Sequence, residues 1–489
     1  MSASARTILF VLGVMLLALS AAQLAPALVD LRADARSAHA FFGSAVIGLF
    51  AGGVMTLMGR GTNKSISPRG AIIVTAGSWA LLALAAAAPL KLAAPELSWT
   101  DAIFEATSGI TTTGATIMTG LQDQPAGVLL WRAILQWIGG IGIIVTAMAI
   151  WPALGIGGMQ LFRMESSDTS EKALPRAGQI AAAVGVVYLA LTALCFFAYI
   201  AAGMTPFEAT AHAMTTIATG GFSTHDGSIG AFSEGGADLV ALVFMVLAGL
   251  PFLLYLRAAQ GRPDILFADP QVRAFLMTAF LAAAALTVWL VIHEPHMIEG
   301  AGETIPAWRL AAVNAVSILT GTGYASADYG LWGGGAVALF FMLMFIGGCA
   351  GSTTCSVKIF RYQIAGAAFR AYVARASRPH AVRPVRYRGK ALSDAAVRSV
   401  IIFFFVFFAV FAASACALAL IGLDPITAVS GAATTLANVG PGLGPQIGPS
   451  GTFGDLPETA KWVMIGNMLI GRLEILTVLA LLTPTFWRG

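Results

Sequence analysis

Apolar residues run along this chain in ten stretches long enough to cross a bilayer, at roughly 8–29, 40–58, 70–90, 127–150, 178–202, 236–257, 271–292, 335–360, 396–421 and 461–482. Each approaches the roughly 20 residues that a helix needs to cover a hydrocarbon core. Four further helical stretches, at about 98–110, 205–217, 307–319 and 424–436, hold only 12 or 13 residues. At about 1.5 Å per residue they reach roughly 20 Å, short of the ~30 Å core. Each short stretch precedes a Gly/Thr-rich non-helical segment and then another long run, which predicts half-helices that enter the membrane and return. The expected fold class is an all-α polytopic membrane protein.

The short stretches repeat. Gly114, Gly221, Gly323 and Gly440 serve as anchors, spaced 107, 102 and 117 residues apart. Sixteen residues before three of them stand Ser98, Thr205 and Asp424, each followed by Trp99, Pro206 or Pro425. Such pairs open helices, because the cap oxygen accepts free backbone N–H groups and proline suits the first turn. In the third copy Ala307 replaces the cap, between Pro306 and Trp308. At two fixed offsets all four copies carry alanine: Ala102 and Ala106, Ala209 and Ala213, Ala311 and Ala315, Ala428 and Ala432. Alanines four apart share one helix face and permit close helix approach in a membrane. The chain therefore divides into a leading transmembrane hairpin (1–58) and four span–pore helix–span repeats in pseudo-fourfold arrangement around one pore (70–150, 178–257, 271–360 and 396–489). A basic cytoplasmic loop (361–395) separates the last two.

Composition agrees. Of 489 residues, 57% are hydrophobic and only 11% charged, against about 25% charged in a soluble domain. Cys195, Cys349, Cys355 and Cys416 all lie in apolar stretches and read as packing residues. The first apolar run is too long for a signal-peptide core and reads as a retained span. With the N-terminus inside, Arg6, Arg60, Lys64, Arg163, Arg262, Arg386 and Arg488 fall in cytoplasmic segments, and an outer loop carries Glu294, Glu299 and Glu303 without Lys or Arg. That asymmetry places both termini in the cytoplasm.

The residues approaching the anchors are Thr111-Thr112-Thr113-Gly114, Ala218-Thr219-Gly220-Gly221, Thr320-Gly321-Thr322-Gly323 and Ala437-Asn438-Val439-Gly440. Small, hydroxylated and glycine residues let backbone run extended with its carbonyls free. Non-helical backbone at membrane depth survives only where protein or a water path satisfies it. Four such strands about one axis would form rings of carbonyl oxygen able to replace the hydration shell of a monovalent cation. Half-helices ending there aim negative dipole ends at the same place. The alternative for any one copy is a flexible extracellular loop.

The segments Thr107-Ser108-Gly109-Ile110-Thr111-Thr112-Thr113-Gly114, Thr219-Gly220-Gly221-Phe222-Ser223-Thr224 and Gly347-Gly348-Cys349-Ala350-Gly351-Ser352-Thr353, with Lys358 and Arg361 following, resemble the TrkH/TrkG potassium-uptake proteins of the Trk/Ktr/HKT superfamily. Asn438-Val439-Gly440-Pro441-Gly442 and Gly471-Arg472-Leu473-Glu474 are similar to further motifs of that family. The resemblance covers nearly the whole chain, including the hairpin that separates this type from the shorter KtrB type. It implies potassium uptake across the bacterial inner membrane through a central pore in each subunit of a homodimer. It also implies gating by a cytoplasmic TrkA-like nucleotide-binding ring, with no cofactor on this chain beyond the transported K⁺. The sixteen residues of the four approaching segments would form the selectivity filter. The eighth span would be broken at 347–356 into a gate loop using Gly347, Gly348, Gly351, Ser352, Thr353, Thr354 and Ser356, with Arg472 as a fixed positive charge beside it. Those glycines also make a poor helix interior on their own account, costing roughly 1 kcal/mol each relative to alanine. A glycine-rich helix-packing face is the alternative. The chain departs from the glycine triplet frequent after the Ser-Thr pair of the family, carrying Thr354, Cys355 and Ser356 instead.

Other polar residues have simpler readings. Glu105 and Glu208 add negative potential at the outer mouth or serve as caps and hydrogen-bond acceptors. His212 and His225 stand alone, without metal-ligand spacing. Lys358 reads as a snorkelling end residue. Arg472 and Glu474, two apart, cannot share a helix face. The basic segment from Arg361 to Arg398 suits anionic membrane lipid or an acidic partner face, and nothing supports nucleic-acid binding. A secondary transporter of a small solute, using broken helices, is the competing function. An intramembrane hydrolase would need a nucleophile with its base, or paired aspartates, on spanning helices.

Overall fold

The computed structural model describes residues 3–61, 68–145, 173–293, 305–377 and 384–488. The end of the fourth span (146–150), Lys64, Arg163 and the acidic loop residues Glu294, Glu299 and Glu303 lie outside them.

The leading hairpin packs backbone against backbone. Its helices Ala3–Ala22 and Leu24–Asp30 form one span, and the return helix Ala35–Gly59 is capped by Asp34, whose Oδ1 accepts the Ser37 N–H at 2.9 Å. A β-carbon built on Gly59 would lie 2.6 Å from the Phe10 nitrogen, and one on Gly52 3.0 Å from the Gly13 carbonyl oxygen. Lipid supplies no hydrophobic drive between helices, so small residues that admit close approach decide where they meet. At the turn, buried Asp30 accepts the Gly127 N–H at 2.8 Å, which docks the hairpin on the start of helix Ala126–Val145.

Among the described residues seven helices are long and apolar enough to cross a membrane as unbroken rods. Three of the ten expected spans are not. The run at 236–257 divides into Ala237–Ala248 and Phe252–Ala259, bent by 88°. The run at 461–482 divides into Glu458–Arg472 and Ile475–Leu481, bent by 113°. The run at 335–360 is helical only over Gly333–Leu343, and helix resumes at Ile359–Ser377. Apolar residues on both sides of each break make the first two runs read as unbroken spans, although Arg472 and Glu474 interrupt the second. Pro251, which lacks an N–H, ends the continuity of the first, and Glu474 sits at φ 63° in the second. The basic segment after residue 361 begins as helix and contains a two-strand hairpin, Arg386–Tyr387 with Lys390–Ala391.

The four half-helices form where the caps and alanines put them: Trp99–Ile110, Pro206–Ile217, Ala307–Thr320 and Pro425–Ala437. Ser98 and Thr205 build reciprocal capping boxes with Asp101 and Glu208, while Asp424 accepts two backbone N–H groups. Pro306 opens the third helix without a side-chain cap, as the missing Ser/Thr/Asp leads one to expect. All eight repeated alanines are at most 1% exposed, so the alanine face is the packed face. Ion pairs fasten the half-helices to other segments: Lys461 to Asp101 at 2.6 Å and Arg309 to Asp238 at 2.5 Å.

Candidate functional site

The half-helices end at the four anchor segments, and there the backbone repeats itself. Thr112, Thr219, Gly321 and Asn438, two residues before the anchors, have φ of 52°, 51°, 68° and 53°. The anchors Gly114, Gly221, Gly323 and Gly440 have φ of 84°, 78°, 79° and 114°. The residue between each pair stays outside the left-handed region. In an ordinary strand carbonyls alternate sides. Alternating hand instead turns successive peptide planes the same way. Threonine and asparagine in left-handed conformation cost of order 1–3 kcal/mol each, so they persist only where surroundings enforce them.

The enforcement is mutual. A β-carbon built on Gly114 would lie 2.2 Å from the Gly220 carbonyl oxygen, and one on Gly221 1.8 Å from that of Thr322. One on Gly323 would lie 2.2 Å from that of Val439, and one on Gly440 2.8 Å from that of Thr113. These contacts run in chain order and close on themselves. Each anchor is thus a glycine because the carbonyl of the next segment occupies the space where a side chain would go.

Side chains brace the ring from behind. Gln136 Nε2 donates to the Gly220 oxygen at 2.7 Å while its Oε1 accepts the Phe222 N–H at 3.0 Å. Asn438 donates to Thr113 Oγ1 at 2.8 Å and to the Met468 carbonyl at 2.9 Å. The Thr111 and Thr113 hydroxyls meet at 2.7 Å, as do those of Thr320 and Thr322. Farther toward the capped ends, buried Glu105 accepts from Arg132 Nε at 2.8 Å, from the Ile117 N–H at 2.9 Å and from Thr116 Oγ1 at 2.9 Å. Arg132 also donates to the Ser223 carbonyl at 2.9 Å, tying the first two segments together. Glu105 is therefore a structural acceptor, and Glu208 a cap. His212 is buried and bridges the Glu208 carbonyl and Ser223 Oγ.

On the capped side a cavity of ≈ 180 Å³ opens above Gly114, Gly221 and Gly323, lined also by His225, Asp226 and Pro441. On the opposite side the non-helical loop 344–358 lies directly beneath the anchors. Ser356 N–H bonds to the Ala437 carbonyl at 2.9 Å, and Cys355 Sγ stands 3.5 Å from Thr112 Oγ1. The loop is held by the broken span: Cys349 N–H bonds to the Gly249 carbonyl at 3.1 Å and Phe252 N–H to the Gly351 carbonyl at 2.9 Å. Those two bonds use the backbone groups that the 88° break sets free, so break and loop satisfy each other. Thr353 Oγ1 adds a bond to the Ala248 carbonyl at 3.2 Å, and Ser352 Oγ turns back to that of Cys349 at 2.7 Å. Gly347 and Gly348 admit the Cys355 oxygen and the Thr354 side chain where β-carbons would stand.

Arg472 ends its helix at the second break, 3% exposed, donating to Cys355 Sγ at 2.9 Å and to the Gly139 carbonyl at 3.3 Å. Glu474 turns away from it and pairs with Arg361 at 2.5 Å, and the Arg361 guanidinium also covers the Phe403 ring at 3.7 Å. Lys358 does not snorkel outward. Its Nζ donates back to the carbonyl and hydroxyl of Thr354.

The TrkH family model, described as a cation transport protein, matches residues 38–487. The chain belongs to the TrkH family. Similar proteins include the Trk system potassium uptake protein TrkI of Halomonas elongata, 44% identical over 98% of this chain and 96% of that one. Another is the Trk system potassium uptake protein TrkH of Escherichia coli K12, 34% identical over 99% of both. The crystal structure of the potassium transporter TrkH from Vibrio parahaemolyticus is 36% identical and superimposes with a TM-score of 0.89 over 99% of both chains. Membership in the TrkH family makes the buried ring of glycines and carbonyls, with the loop beneath it, the natural place to seek an ion path. Cys355 stands out in the sequence only as a packing residue and as a departure from the family's glycine triplet, whereas Arg132 and Gln136, which brace that site, are not singled out at all. Arg132 and Gln136 could have been, since a charge and an amide inside an apolar run point to a function or a brace.

Proposed function

We propose that this chain carries potassium across the bacterial inner membrane through a central pore. The four anchor segments form its carbonyl filter, in pseudo-fourfold arrangement, and loop 344–358 with Arg472 forms its gate. The observation that carries the reading is the closed cycle in which each anchor glycine receives the carbonyl of the next segment. Uncharged oxygen ligands suit a cation that must shed water, bind and leave again. The half-helix termini converging on the ring favour positive charge there, and the large cavity above it supplies hydrated ions. Beneath it the loop blocks the axis with backbone and Cys355, while Arg472 opposes a cation at the same level. Both termini lie in the cytoplasm in this reading. The working assembly is a homodimer in lipid with a TrkA-like nucleotide-binding ring docked on the basic segment after residue 361.

The test is radioactive rubidium uptake by the purified protein in proteoliposomes, with K⁺ or Na⁺ as competitor. Uptake should fall with added K⁺ at concentrations where Na⁺ has little effect. Equal competition by the two ions removes the filter from the account, and uptake of an organic solute without rubidium flux would favour a secondary transporter.

A further inference from the structure

The region under the ring holds more positive charge than its surroundings neutralise. A cavity of ≈ 40 Å³ below the loop is lined by four charged side chains, Lys358, Arg361, Arg472 and Glu474. Glu474 pairs with Arg361. Three cations against one carboxylate leave two, Lys358 and Arg472, whose hydrogen-bond partners are hydroxyl, carbonyl and thiol groups without formal charge. The Arg472 Nε, almost fully buried, has no hydrogen-bond partner among the described residues. Two basic groups without a carboxylate partner beside one small cavity repel each other at low dielectric when both are protonated. A buried N–H donor with no acceptor calls for one.

Size and charge together choose the acceptor. A water-sized occupant needs about 10–15 Å³ of such volume, so the cavity takes a halide and a water or two. A nucleotide or an intact phospholipid headgroup exceeds that volume. We propose that this cavity binds a small monovalent anion, chloride in physiological solution, through Arg472 and Lys358, and that its occupancy offsets the positive barrier beneath the ring. A water beside it would donate to the second oxygen of Glu474, which has no hydrogen-bond partner among the described residues.

The binding arm needs no transport: chlorine NMR line broadening on the detergent-purified full-length protein, with bromide as competitor. Saturable broadening is expected in the parent protein. Arg472→Gln or Lys358→Gln should weaken it about tenfold or more, the effect of removing one buried charge partner. Absence of saturable broadening, or equal broadening in variants that elute and melt as folded protein, overturns the site. Should the variants not fold, anomalous diffraction from bromide-soaked parent crystals decides, by a peak in this cavity or none. The flux arm rests on the potassium-transport reading. Gluconate in place of chloride should slow rubidium uptake in the parent, and unchanged uptake overturns the barrier-offset role. A protein that binds chloride but moves no rubidium refutes the transport reading and leaves the anion site standing.

Discussion

Replacing Gly221 by alanine is expected to abolish rubidium uptake while leaving the protein folded. The added β-carbon would stand 1.8 Å from the Thr322 carbonyl oxygen, at φ 78°. Left-handed backbone costs a non-glycine residue of order 1–3 kcal/mol, an amount a membrane protein of this size can absorb. The Thr322 carbonyl cannot stay where it is, however, and it belongs to the neighbouring segment of the ring. The damage is thus to the oxygen positions rather than to the fold. Gly227→Ala is the control: φ is −70° and the nearest neighbour of its β-carbon would be Ala231 at 3.5 Å, so uptake should stay near the parent level. Melting temperature and proteoliposome flux, measured side by side, check the pair. Parent-like uptake by Gly221→Ala would show that the ring does not contact the ion.

Arg472→Ala is expected to raise flux. A unit charge about 4 Å from a cation opposes it by roughly 4 kcal/mol at an effective dielectric of about 20. Part of that is offset by the acceptors around the guanidinium, which leaves an expected rise of about tenfold or more in rubidium entering per protein. Truncation also frees Cys355 Sγ from its 2.9 Å donor and so loosens the loop, an effect of the same sign. Arg472→Lys separates the two causes: it keeps the charge and loses the forked donor geometry, so its flux should remain low if charge is the barrier. Reduced flux in Arg472→Ala with a lowered melting temperature would assign the arginine to folding alone.

The half-helices, the ring and the breaks are unequally legible in the sequence. The half-helices could be read because their information is local. Ser98, Thr205 and Asp424 cap through atoms three residues away, and the paired alanines announce a packed face without naming its partner. Gly114, Gly221, Gly323 and Gly440 could be read as anchors by repetition, although the reason for each glycine, a carbonyl from the next segment, exists only in the folded ring. The breaks were harder. Hydropathy runs unchanged across 249–251, whereas the second break is marked by the charges Arg472 and Glu474; what stabilises each break is a bond to residues a hundred positions away. Gly249 accepts from Cys349, and Glu474 pairs with Arg361. Pro251 was the one local sign of the first break, and apolar content outweighed it. Lys358 was misplaced for a related reason, because snorkelling is the rule for a lysine at a helix end and here the loop offers Thr354 closer by.

The central claim is that an alkali cation sits among backbone oxygens contributed by all four anchor segments. Anomalous diffraction from thallium(I), a potassium mimic, soaked into crystals of the parent protein tests it most directly. The account predicts peaks on one axis, enclosed by carbonyl oxygens of 112–114, 219–221, 321–323 and 438–440, that fade when excess K⁺ is added. Thallium found only in the outer cavity or at lipid-facing carboxylates, with none inside the ring, would contradict it.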